Sequence, residues 1–172
     1  MGEKIFLLLI ERYFYTARTS IGRLYFQYAQ NFVQFPLVIG KEYFCFTLED
    51  TVRPSNIKVY GNTCLPGGLE CSVGLFENDH YKKTIIFYTE TDKETILVPP
   101  LKWAGCLAHN GIDYSQTEGC VLVGSKLYPA MTPDKEPTIL TGMKDALRLR
   151  VDKALKEGYT IKAKFVNLNQ LT

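Results

Sequence analysis

The chain has 172 residues, 46% hydrophobic and 22% charged, which suits one folded domain and excludes a disordered polymer. Twenty basic against 18 acidic residues leave a net charge of +2, so there is no electrostatic case for nucleic acid or an acidic membrane surface. Five cysteines, an odd number, argue against a complete disulfide framework and for a reducing compartment, while 11 Tyr and 10 Phe favour a β-rich fold.

Ile5–Ile10 is apolar but runs at once into Glu11 and Arg12. It is too short for a secretory core or for the roughly 20 residues of a membrane span, so no signal peptide is expected. Ile5–Tyr15 is instead predicted to be a buried strand, and Ile21–Tyr28 a second after a turn at Arg18–Ser20. Ala29–Gly40 has no clear period and suggests a loop or insertion. Tyr43–Leu48 is the third strand; Glu49 and Asp50 follow it, and turn-capping is the simpler role for such a pair than acid–base work. Val52–Ser55 contains Pro54 and is loop, and Leu65–Gly68 is a turn, because glycine admits positive φ and proline blocks ladder pairing.

Leu69–Leu75 and Thr84–Tyr88 are expected strands around a polar connection that holds His80, expected to be solvated surface. Thr95–Val98 is a short strand ending at Pro99 and Pro100. Further on, Met143, Leu147, Val151 and Leu155, with Ala146 and Ala154, recur at helical spacing and predict a helix over Gly142–Glu157. Thr141 is its expected cap and Gly158 its expected left-handed terminator. Lys144, Arg148, Asp152 and Lys156 form the expected solvated face. Tyr159–Val166 alternates as a closing strand, with Ile161, Ala163 and Phe165 on one side. The expected fold is α+β, mainly β: an antiparallel or mixed sheet or barrel-like core, one C-terminal helix and a closing strand, in a single domain over 1–172.

Chemistry concentrates between Trp103 and Gly124, WAGCLAHNGIDYSQTEGCVLVG. Two apolar runs, Gly105–His109 and Cys120–Val123, flank a polar loop with Asn110, Gly111, Asp113, Ser115 and Gln116. If the runs pair as an antiparallel hairpin, His109 lies opposite Cys120, with Cβ atoms ~5 Å apart. A histidine that lowers a thiol's pKa is what a cysteine nucleophile requires. Gly119 allows a tight turn before the thiol, and backbone N–H groups near Gly119 and Cys120 are candidate oxyanion donors. The alternative is that Cys120 is a small buried hydrophobe, as Cys45, Cys64 and Cys71 are expected to be from their apolar surroundings. A zinc site from Cys106, His109 and Cys120 is disfavoured: no CxxC pair is present, and on a strand Cys106 and His109 point to opposite faces. No metal or other cofactor is expected.

The chain resembles a family of bacterial and phage proteins classed as a domain of unknown function. The likeness is carried by Arg12, Phe14 and Tyr15 leading to Thr19–Leu24, then Cys45–Asp50, then Pro66–Gly68, then His109–Gly111 and Thr117–Gly124. The family core is H-x-G-N followed by T-x-G-C-[IV]-L-V-G, and Ile112 departs from its asparagine. A histidine followed by a glycine–cysteine strand also looks like L,D-transpeptidase catalytic domains, whose signature is [ST]-H-G-C. By that likeness Cys120 is the nucleophile, His109 the base and Thr117 the hydroxyl position, with Glu118 where that family has a second histidine and a shorter His–Cys spacing. The likeness implies a cysteine enzyme acting on peptidoglycan stem peptides, with Asn110, Gly111, Asp113 and Thr117 as candidate substrate-binding residues. The competing expectation is a non-catalytic phage structural or accessory domain that binds particle proteins. Either protein is expected in the cytoplasm or a phage particle, with no nucleic-acid or membrane partner.

Overall fold

The computed structural model describes residues 3–30, 42–53, 63–89, 106–132 and 134–168. The short strand expected at Thr95–Val98 lies outside them, as do 31–40 of the expected insertion and 54–55 of the expected loop. Residues 29–30 instead extend the second strand. The elements in chain order are β1 Lys4–Tyr15, β2 Thr19–Gln30, β3 Cys45–Asp50, β4 Glu70–Asn78, β5 Lys82–Tyr88, β6 Cys106–His109, β7 Val121–Tyr128, β8 Thr138–Thr141, α1 Lys144–Lys156 and β9 Thr160–Asn167. Among the described residues the protein is mainly β, with a single α-helix near the C-terminus and a closing strand, as the composition and patterning predict.

The nine strands form one mixed sheet in the order β3-β2-β1-β9-β4-β5-β6-β7-β8. Pairings β1–β9 and β6–β7 are parallel and the others antiparallel. β3 also pairs with β7, with Leu48 opposite Leu122, so the sheet closes on itself as a ring of eight strands, and β8 is added alongside β7. Closure pairs both edges of the ring strands, leaves β8 as the outer edge, and holds strands distant in sequence in one register.

Central strands explain the sequence pattern. Residues 5–12 of β1 are all buried, because both its faces are covered, so it reads as an unbroken apolar run. β9 is covered on one face and alternates, burying Ile161, Ala163 and Phe165. The main core gathers these with Phe6, Leu8, Ile10, Val73, Ile85, Phe87, Ala108, Val121 and Val123. A smaller cluster joins Ile21, Leu48, Leu122 and Ile139.

β8 escapes the sequence pattern. It has four residues, only Ile139 is buried, and Pro129, Pro133 and Pro137 precede it. α1 begins two residues later than expected. Thr141 does not cap it; Thr141 belongs to β8, and its hydroxyl accepts the Gly111 N–H at 3.1 Å. Met143 flanks the helix start without a side-chain cap. Gly158 does take positive φ (+81°) after the last turn. The buried stripe is Leu147, Val151 and Ala154, which leaves Ala146 and Leu155 on outer flanks. Lys144 also departs from the solvated face: its side chain is only 12% exposed, and Nζ lies 3.3 Å from the Tyr81 carbonyl.

Among the described residues, no helix is long and apolar enough to cross a membrane.

Candidate active site

β6 and β7 are neighbours, but they run parallel, with Ala108 opposite Val121 and His109 opposite Leu122. The expected antiparallel hairpin, with His109 facing Cys120, is therefore corrected. Residues 110–120 carry the chain back to the start of the next parallel strand. Cys120 stands one residue before β7, alongside the stretch 106–109.

That crossover is held by its own polar groups. Asp113 accepts the Ser115 N–H at 2.9 Å and caps a short 3-10 turn, Tyr114–Gln116. Gln116 Oε1 accepts the Ile112 N–H at 2.7 Å, and Ile112 O accepts the Ile139 N–H from β8. The Thr117 hydroxyl donates to the Cys120 carbonyl at 2.8 Å. Gly111 packs so closely on Leu122 that a Cβ would approach within 2.7 Å. Of the candidate substrate-binding residues, Gly111, Asp113 and Thr117 thus shape the loop, and Asn110 is exposed at its mouth.

Gly119 adopts φ +95°, a conformation costly for any residue with a side chain, and a Cβ there would also meet the Thr63 carbonyl at 3.2 Å. Its N–H donates to Asp50 Oδ2 at 2.7 Å. That donor is occupied, so the proposed oxyanion role of the Gly119 N–H is not available in this conformation. Glu49 and Asp50 are not turn caps. They end β3 fully buried: Glu49 takes Arg12 Nε at 2.9 Å and Nη2 at 2.6 Å, and Asp50 holds Gly119. Burial pushes the Asp50 carboxyl up to about 7, against the lowering effect of the Gly119 N–H.

Cys120 is half-buried and packs against the main core cluster, which contains Cys106. Its thiol is brought down to about 5, first by a hydrogen bond from the Cys106 thiol, against burial, and then by His109 and the Leu107 backbone N–H. Cys106 moves the opposite way, well above the usual thiol range, because it is buried and faces the Cys120 charge. Burial likewise pushes Cys45 and Cys64 up to about 12. These surroundings favour the thiolate of Cys120 over that of Cys45, Cys64 or Cys106.

Strand alternation separates Cys106 from His109 as expected: Cys106 packs in the main core, and His109 lines the cavity. Cys120 lies outside β6, level with Leu107 in the extended register.

His109 Nδ1 lies 2.8 Å from the Asn110 carbonyl. With Nδ1–H donating there, Nε2 is left to exchange a proton with the thiol. Burial works against the imidazolium, but the bonds to Cys120 and Asn110 prevail and raise its pKa. The ring packs on Tyr81, centroids 5.0 Å apart, and Tyr81 meets the His80 ring at 4.5 Å. These side chains, with Lys82, Asn110, Gln116 and Lys144, line a cavity of about 470 Å³. His80 is exposed as expected, but it belongs to this rim. His109, not Cys120, forms part of the cavity wall.

Sequence reasoning missed Asp50, Tyr81, Cys106 and Lys144 as parts of the site. Glu49-Asp50 offered a faint signal as adjacent carboxylates at a strand end; Lys144 offered none. Among the described residues, no three His, Cys, Asp or Glu side chains converge to hold a metal ion. Comparisons with family models, curated proteins and solved structures found no match.

Proposed function

We propose that the protein is a cysteine-dependent acyl-transfer enzyme in which Cys120 is the nucleophile and His109 its acid–base partner. The observation that carries this reading is His109, fixed by the Asn110 carbonyl at 2.8 Å in the wall of an open polar cavity, with the imidazole favouring the Cys120 thiolate behind it. The Cys120 thiolate attacks an amide carbonyl, forming a C–S bond and an oxyanion. The His109 imidazolium gives its proton to the leaving amine as the C–N bond breaks, leaving a thioester. Neutral His109 then takes a proton from water, which hydrolyses the thioester, or from a second amine, which completes transpeptidation. With the Gly119 N–H committed to Asp50, oxyanion donors come from the cavity wall: the Asn110 and Gln116 amides and the Lys144 ammonium.

The substrate class rests on the resemblance to L,D-transpeptidases: peptidoglycan stem peptides, reached from the cytoplasm or from a phage particle. Incubation with stem tetrapeptides should give an acyl adduct on Cys120 by intact mass, and Cys120→Ala should abolish adduct and turnover. Normal turnover by Cys120→Ala would refute the mechanism.

A second reading is a non-catalytic phage particle or accessory domain. It is favoured by the one feature that fits an enzyme less well, a thiol that does not itself line the cavity. Fixed stoichiometry in purified particles, with no acyl adduct from any stem peptide, would select it.

A further inference from the structure

Two thiols meet where the proposed reaction needs only one. Parallel pairing of Ala108 with Val121 sets Cys106 level with Gly119 and diagonal to Cys120. The Cys106 sulfur lies 3.1 Å from the carbonyl of Gly119, the residue before Cys120, and Cys120 packs against the core cluster to which Cys106 belongs. A thiol has one proton, so Cys106 can aim it at that carbonyl or at Cys120. Cys106 is buried and protonated, whereas Cys120 is half-buried. That asymmetry separates an attacking thiolate from a shielded resolving thiol.

We infer that Cys120 and Cys106 form a peroxide-responsive oxidation site, in which Cys120 is oxidised by a hydroperoxide and Cys106 resolves it to an intramolecular disulfide. The inference rests on the reactive-thiolate part of the proposed function and not on its substrate.

The chemistry balances. The Cys120 thiolate attacks a peroxide oxygen and the O–O bond breaks. The departing alkoxide or hydroxide takes the His109 proton, and Cys120 becomes a sulfenic acid, oxidised by two electrons. The Cys106 sulfur then attacks the Cys120 sulfur and the S–O bond breaks. The leaving hydroxide departs as water with the Cys106 proton. Two thiols and one hydroperoxide become a disulfide, a water and an alcohol or second water. The nucleophile is masked until a thiol reductant restores it, which protects it from irreversible over-oxidation.

Sequence makes the product easy to read. No Lys or Arg lies between Lys102 and Lys126, so both cysteines fall in one tryptic peptide, 103–126. Treating the full chain with an equivalent of hydrogen peroxide, quenching with iodoacetamide and digesting should give that peptide about 2 Da lighter and unalkylated. Chymotryptic cleavage after Tyr114 should leave its halves joined until reduction. Cys106→Ser should instead accumulate a dimedone-reactive Cys120. In parallel, iodoacetamide at pH 6 without peroxide reports the thiolate itself. Fast alkylation of Cys120, with peroxide giving only sulfinic or sulfonic acid in the wild type, would overturn the resolving role and leave the nucleophile standing. A Cys120 inert to both reagents would overturn both.

Discussion

Removing the Cys106 thiol separates its contribution to the Cys120 thiolate from that of the imidazole. Cys106 is the largest of the supports that bring Cys120 from the ordinary thiol value to about 5, ahead of His109 and the Leu107 N–H. A hydrogen bond to a charged group contributes roughly 1.5–3 kcal/mol, and one pKa unit corresponds to about 1.4 kcal/mol. Cys106→Ala should therefore raise the Cys120 midpoint by roughly 1–2 units. At pH 6 the thiolate fraction then falls from about nine-tenths to between a half and a tenth, so alkylation slows about 2- to 10-fold. By pH 8.5 the two proteins should react at similar rates, apart from a small gain in intrinsic nucleophilicity. The midpoint belongs to the Cys120–Cys106 pair and not to one sulfur alone, because the two thiols titrate against each other. The assay is the rate of iodoacetamide labelling from pH 4 to 9, followed on the peptide 103–126. An unchanged midpoint in Cys106→Ala, or a wild-type midpoint near that of a free thiol, would refute the reasoning.

Two further predictions concern the scaffold. Glu49→Gln strands the Arg12 guanidinium, fully buried like its partner, without a counter-charge. It should cost about 3–5 kcal/mol in urea unfolding, with much of the loss recovered when Arg12→Met is combined with Glu49→Leu; a loss below about 1 kcal/mol would contradict the pairing argument. Asp50 has a folded pKa of about 7, above its unfolded value near 3.9. Its contribution is therefore fully present below pH ~4 and is lost as pH rises to about 7, with a ceiling of about 4 kcal/mol. Asp50→Asn keeps an acceptor for Gly119 but does not ionise. The variant should gain stability relative to wild type between pH 4.5 and 7.5, and a pH-independent difference would show that Asp50 is not protonated in the fold.

Local patterns were the legible part. The apolar run of β1, the alternation of β9 and the Leu147–Val151 stripe all follow from which faces are covered. The glycines at 119 and 158 both take positive φ, as their turn positions suggested. Cys120 also stood out, because a glycine–cysteine step after a polar loop is a local feature. The strand direction beside it was not legible. A ten-residue link between two apolar runs looks like a hairpin loop, since parallel neighbours usually need a dozen residues or more. Here hydrogen bonds within 111–117 and to β8 compact the crossover.

Sequence alone determined a β-rich chain with one amphipathic helix, three packing cysteines and one thiol worth attention. These follow from short-range periodicity and side-chain type, which each segment carries by itself. Tertiary structure decided the environment of that thiol. The Asp50–Gly119 bond spans 69 positions, the Lys144–Tyr81 contact spans 63, and the Cys106 thiol reaches the Gly119 carbonyl at 3.1 Å beside the parallel β6–β7 pairing. A thiol's charge state depends on the groups packed around it, and sheet closure brings those groups together from separate parts of the chain.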